Sequence, residues 1–279
     1  MVKKEPTRKN GYYQSPNTGL WYPSVTTIQK SCSDGSGLIN WAAQQGARAV
    51  IYALSKYPDI EGVSNRIQSS AALDWAVDIG TKGLKDASAH SRNFGTAVHA
   101  AVDEFTRTGK YAKAAEFPDW DDQRTTAVEA FISFHNALAE TGAEVTSSEA
   151  AVVNETERYA GRLDQIWKFQ AKTIDMLQPF LYTKTIPVLQ DGSKVLSDLK
   201  TGRVYLDDNI VQLSGYAKAI QGGVDGAMVV GIDRSAPDVV RAYFITKEEL
   251  EEAYEEAFKP ALKLWRYQKA PKWWRNQFP

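Results

Sequence analysis

The sequence predicts an α/β protein: a central mixed β-sheet flanked by helices, with an N-terminal helical subdomain. Three observations predict it. Apolar residues recur at helical spacing through most of residues 38–142. From residue 144 onward the pattern changes to alternating or continuously apolar runs that read as strands. Thr246-Lys-Glu-Glu249 is then a capping box, opening a long acidic helix to about Trp265. We read residues 1–279 as one domain in four parts. These are an aromatic N-terminal hairpin or arm (1–37), a helical part (38–142), a sheet core (143–245), and a C-terminal helix and tail (246–279).

Composition narrows the class. Apolar content of 43% with 24% charged residues is ordinary for a soluble globular chain. A net charge of −1 gives no global basic footprint, so any nucleic-acid contact must rest on a local patch. One cysteine, Cys32, excludes an internal disulfide framework and fits a reducing compartment. No apolar run is long enough to span a bilayer, and Met1-Val-Lys-Lys-Glu-Pro lacks a signal peptide's apolar core. The expectation is a cytoplasmic protein with no membrane partner. No G-x-x-x-x-G-K-[ST] segment occurs, so no nucleotide cofactor is expected.

Residues 1–37 are rich in turn formers, with Tyr12, Tyr13, Trp21 and Tyr22 interleaved. A helix follows with Trp41, Ala42, Ala49, Val50 and Ala53 at helical spacing, then a break at Tyr57-Pro58-Asp59. A second helix carries Ala72, Trp75, Ala76 and Ile79. Lys82, Lys85 and Arg92 are placed in the connection to a third helix, from about Asn93 to Arg107, whose apolar stripe is Ala97, Val98, Ala101, Val102 and Phe105. Asp119 to Glu140 is another amphipathic helix, ended by Thr141-Gly142.

Glu144 to Val153 reads as the first strand of the sheet and Arg158 to Phe169 as the second. On the second, Asp164 shares a face with Arg162 and Ile166, where a carboxylate is costly without a cation opposite. Residues 171–193 form a longer strand pair or a short excursion, with Asp191-Gly192 as the hairpin turn. Val195 and Leu196 read as a strand buried on both faces. It then presents Asp198 and Lys200 two residues apart, and so on one face, before the turn former Gly202. A carboxylate and an ammonium there can hold a hard divalent cation and position a water. Next comes a helix with an Asp cap at Asp207-Asp208, placing Gln212 and Tyr216 one turn apart. Gly226–Ile232 and Val239–Ile245 are strands joined by a turn at Asp233–Asp238.

Gly161-Arg-Leu-Asp164, Asp198-Leu-Lys200-Thr-Gly202 and Gln212-Leu-Ser-Gly-Tyr216 together resemble the PD-(D/E)XK nuclease superfamily, in its RecB-like exonuclease branch. The family's earlier G-x-x-x-H segment is matched by Gly95-Thr-Ala-Val-His99. The resemblance covers roughly residues 95 to 245 and implies a restriction-endonuclease-like core. It implies a metal-dependent DNA nuclease, as an exonuclease of phage or bacterial recombination, repair or replication. The single cysteine excludes the four-cysteine iron–sulfur cluster of some relatives.

On this resemblance Asp164, Asp198, Lys200, Gln212, Tyr216 and Glu149 are the expected catalytic set, Glu149 as an auxiliary acid. His99, Asp164, Asp198 and the Leu199 carbonyl would hold one or two Mg²⁺ or Mn²⁺ ions. Lys82, Lys85, Arg92 and Tyr216 are the expected DNA contacts. DNA is the expected partner, with a separate helicase or recombination protein beside it. The N-terminal aromatics either pack on helices or form a platform beside DNA, and the basic, aromatic Lys269–Arg275 tail either docks or grips a strand. A non-catalytic DNA-binding or scaffold protein of the same fold remains the alternative.

Overall fold

The structure, a computed structural model, describes residues 6–30, 36–55, 70–111, 120–183 and 188–277. The expected break at Tyr57-Pro58-Asp59 lies outside these residues, as does Cys32. The chain divides into two compact units, Met1–Ser33 with Ala97–Pro279, and Asp34–Thr96. Residues 97–111 and 120–142, assigned above to the helical part, thus belong with the sheet.

The first unit opens with a three-stranded meander, β1 (Thr7–Lys9), β2 (Tyr12–Gln14) and β3 (Trp21–Pro23). Its Tyr13 and Tyr22 are buried with Ala160 on a neighbouring strand, so these aromatics serve packing. Helix α1 (Val25–Gln29) follows, capped by the Ser24 side chain, which accepts from the Thr27 amide.

The second unit packs α2 (Ser36–Ser55) against the first part of α3 (Ser70–Thr108) through small residues. A Cβ at Gly83 would lie 2.2 Å from that of Ala49, and one at Gly46 would lie 3.5 Å from the Gly80 carbonyl. Helix α3 is continuous from Ser70 to Thr108, which corrects the two-helix reading: Lys82, Lys85 and Arg92 lie on a helix, not in a connection. Strong helix formers bridge that polar stretch, and Gly83 is retained there for close approach.

In the first unit, a five-stranded mixed sheet runs in the order β10-β9-β8-β7-β4: β4 (Glu144–Ser148), β7 (Gln165–Phe169), β8 (Ser193–Lys200), β9 (Gly226–Asp233) and β10 (Ala236–Thr246). Only β8 and β9 pair in parallel. Strands β5 (Ala151–Asn154) and β6 (Tyr159–Arg162) form a separate two-stranded sheet. The expected strands 144–153 and 158–169 are therefore each split, at Glu149-Ala150 and at Leu163-Asp164. Ala236, Pro237 and Asp238, expected in a turn, belong to β10, which carries a register irregularity before Val240.

Helices cover the sheet on both faces. Helix α4 (Asp122–Ala139), capped by Asp121, places His135 between Phe105, Phe131 and Trp167; burial lowers its pKa, making it a neutral core ring. The excursion after β7 is helical, α5 (Thr173–Leu177), and closes through Asp191-Gly192, where Gly192 has φ +89°. On the other face lie α6 (Leu206–Ala219) and a C-terminal helical run, Lys247–Ala253, Tyr254–Phe258, Lys259–Leu264 and Trp265–Lys269, with two widened turns. Leu196, Leu213, Ala227, Val229, Ile245, Leu250 and Phe258 are core residues between them. The capping box forms as expected: Thr246 accepts from the Glu249 amide while Glu249 accepts from the Thr246 amide. The expected Asp cap of α6 does not form; Tyr205 holds the cap position, and Asp207 and Asp208 sit in the first turn, favourable to the helix dipole. The tail docks through Trp274, whose ring lies 4.9 Å from that of Trp265.

Candidate active site

Strand β8 carries one half of the site. Asp198 and Lys200 project to the face covered by α6, where Lys200 Nζ lies 2.7 Å from Asp198 Oδ2. That oxygen is buried and makes no aligned hydrogen bond, so the contact is ionic. Lys200 Nζ donates to Gln212 Oε1 at 3.1 Å, and Gln212 Nε2 donates to the Tyr216 hydroxyl at 3.3 Å. One turn of α6 separates Gln212 from Tyr216, so helical spacing alone sets up this relay. The ammonium is thereby aimed from two sides.

Tyr216 is only 5% exposed, which corrects its expected role as a DNA contact. It packs on Gly161, where a Cβ would meet Tyr216 Cε1 at 2.3 Å. Glycine at this position thus makes room for the relay's last ring. Gly161→Ala is expected to cost about 2 kcal/mol or more through overpacking, read as a lower denaturation midpoint that Tyr216→Leu in the same chain partly restores.

The second half forms where the hairpin strands break. Ser148 pairs with Gln165 and Ala151 with Arg162 in one continuing register, so Glu149 falls opposite Asp164. The Glu149 amide donates to the Asp164 carbonyl at 2.7 Å. Glu149 has φ +47°, the left-handed conformation uncommon outside glycine. This twist turns its side chain off the strand, 3.9 Å from Arg162. Carried one residue further, the pairing of Gln165 with Ser197 sets Asp164 opposite Asp198. Asp164 Oδ2 accepts from the Leu199 amide at 2.7 Å and lies 3.7 Å from His99 Nδ1. Donor atoms of His99, Glu149 and Asp164 all lie within 4.8 Å of one another.

Electrostatics give this cluster its character. Burial, and then the Asp198 carboxylate, push Asp164 up to about 7. Burial and Asp164 raise Glu149, while burial lowers His99 despite the carboxylates of Asp198 and Glu149 nearby. A neutral imidazole has a free lone pair, and two crowded carboxyls that resist ionisation are relieved by a divalent cation. Oxygen donors with one nitrogen suit Mg²⁺ or Mn²⁺, so the residues present fit the metal that the resemblance implies. The Leu199 carbonyl lies beside the His99 ring. Asp198 stands outside the three-residue cluster, bound to Lys200, yet close enough for its charge to act on both Asp164 and His99.

Lys82, Lys85 and Arg92 belong to the helical unit Asp34–Thr96. There Lys82 lines a groove with Tyr52 and Trp75, and Arg92 donates to Ser88 at 2.8 Å. Sequence reasoning missed Asp103, one turn beyond His99, which accepts from the Ser148 hydroxyl at 2.7 Å and lines the pocket of His99, Glu149 and Asp164. Its spacing of four residues from His99 was the available signal.

No protein-family model and no curated protein matches the chain. Among solved structures, one described as "Crystal structure of SSO0001" is similar over 60% of this chain and 74% of that one, at 13% identity and TM-score 0.27. A likeness that weak carries no argument about this chain.

Proposed function

We propose that the protein is a divalent-metal-dependent deoxyribonuclease of the PD-(D/E)XK type, hydrolysing phosphodiester bonds as a RecB-like exonuclease acting in the cytoplasm. The observation that carries the reading is the adjacency of two groups: the His99–Glu149–Asp164 donors, and an Asp198–Lys200–Gln212 relay one strand away. His99, Glu149 and Asp164 would hold Mg²⁺ or Mn²⁺, with Asp198 supplying further negative charge. A cation there supplies Lewis-acid charge that offsets negative charge gathering on the phosphate under attack. Lys200, fixed by Asp198 and Gln212, orients the attacking water and adds positive charge at the developing pentavalent phosphorus. Gln212 keeps the ammonium directed, and Tyr216 buttresses Gln212 from beneath.

The test compares end-labelled linear duplex, linear single strands and closed circular DNA with Mg²⁺, with Mn²⁺ and with chelator. Divalent-dependent loss of the linear substrates, with circles spared, is expected. Intact DNA under every condition would leave a binding protein with a decayed site. No helix among the described residues is long and apolar enough to cross a membrane.

A further inference from the structure

Beyond Lys200 the same face of the sheet carries a second group of side chains. Lys200 pairs laterally with Gly231 on β9, and Gly231 with Arg241 on β10, so the three form one row across three strands. Neighbours in such a row project to the same side of the sheet. Arg241 therefore faces the way Lys200 does, two strands along. Gly231 has no side chain to separate them, and a Cβ there would collide with Val204 Cγ2 at 2.6 Å. A polar pocket opens at this point, lined by Arg203, Val204, Gly231, Asp233, Arg241 and Tyr243.

Each arginine is paired with an exposed aromatic ring. Arg203 lies over Tyr205 at 5.5 Å, and Arg241 over Tyr182 at 5.3 Å. Tyr205 and Tyr182 are 52% and 62% exposed, and the Tyr182 ring is 5.8 Å from that of Tyr243. The carboxylate in the pocket, Asp233, is engaged by its own turn, accepting from the Ser235 amide and hydroxyl at 2.9 and 2.8 Å. Cations set beside solvent-exposed aromatic rings suit a chain of phosphates whose unpaired bases can stack. Duplex DNA hides those base faces.

We propose that this strip binds a single-stranded polynucleotide, with phosphates on Arg203 and Arg241 and bases against Tyr205 and Tyr182, and leads that strand to Lys200. The proposal rests on the nuclease reading for what happens at Lys200, but the binding it describes does not require cleavage. It would also supply the local basic patch on which any nucleic-acid contact by a chain of net charge −1 must rest.

The test is fluorescence anisotropy with a labelled oligothymidylate of about twenty nucleotides, in chelator so that nothing is cut. Arg203→Ala with Arg241→Ala should weaken binding about tenfold or more and flatten the slope of log K against log salt by about 1.4. Tyr182→Ala with Tyr205→Ala should weaken it about fivefold or more at an unchanged salt slope. All four side chains are at the surface, so melting temperatures should stay within about 2 °C of the parent. Unchanged affinity and slope in both double variants overturns the proposal, as does a parent that binds no oligonucleotide or a loss confined to duplex. A parent that binds the strand but hydrolyses nothing refutes the nuclease reading and leaves the strip standing.

Discussion

Lys200→Ala should reduce divalent-dependent DNA hydrolysis by about 10²–10³-fold, the loss typical of one preorganised charge aimed at a transition state. The same change has a structural cost that must be separated from the catalytic one. Lys200 Nζ sits 2.7 Å from Asp198 Oδ2 on a side chain only 6% exposed, so alanine leaves a buried carboxylate without its cation. A destabilisation of about 2 kcal/mol is expected, below the full cost of a broken buried pair because the lysine side chain is itself 28% exposed. Asp198→Asn added to Lys200→Ala removes the stranded charge and should recover the melting temperature without recovering hydrolysis. A double variant that regains both would make Lys200 a structural counter-ion only. Retained hydrolysis in Lys200→Ala itself would remove it from the mechanism.

Asp164→Asn should weaken Mn²⁺ binding by about a hundredfold, a loss of the size seen when a metal ligand's support is removed, and abolish hydrolysis with it. Its effect on stability has the opposite sign. In the metal-free chain Asp164 holds its proton up to about 7, against an ordinary value of 3.8. Between those values the folded state binds more protons than the unfolded one. The contribution of Asp164 to stability is therefore full below pH 4 and is lost as pH rises through 7. Asparagine cannot ionise and can still accept from the Leu199 amide, so the variant should melt higher than the parent at pH 8 and nearly level with it at pH 4. Metal binding by the parent should tighten with rising pH up to about 7, since the ion displaces that proton. Calorimetric titrations and thermal melts across pH 4–8 check both, and a pH-independent parent would deny Asp164 its place at the site.

Much of this arrangement is legible in the sequence where local geometry decides it. Alternation places Asp198 and Lys200 on one face, helical spacing aligns Gln212 with Tyr216, and the Thr246 capping box marks a helix start that the structure keeps. The misses have a common physical origin. Glu149 adopts φ +47° because of where it sits against Asp164, and nothing in Ser-Ser-Glu-Ala announces a left-handed residue. Lys82 to Arg92 reads as a polar linker until Gly83 is seen packed on Ala49, which keeps the helix running. The resemblance gives Tyr216 an outward role at DNA, but its ring packs inward on the vacant side of Gly161. The arginine–tyrosine strip is assembled from residues 182, 203–205 and 241–243, distant segments that the β8–β9–β10 pairing and the bridge of Leu181 to Ala242 bring side by side.

The paired interruptions at Glu149 and Asp164 have a mechanical consequence. They divide one long hairpin into two blades belonging to different sheets, and the joint between them is spanned by the bonds Glu149 N–H to Asp164 and Leu163 N–H to Ala150. Both acids hang from this joint, held opposite each other by its cross-strand pairing. A cation held by both acids would therefore also brace the joint between the two blades.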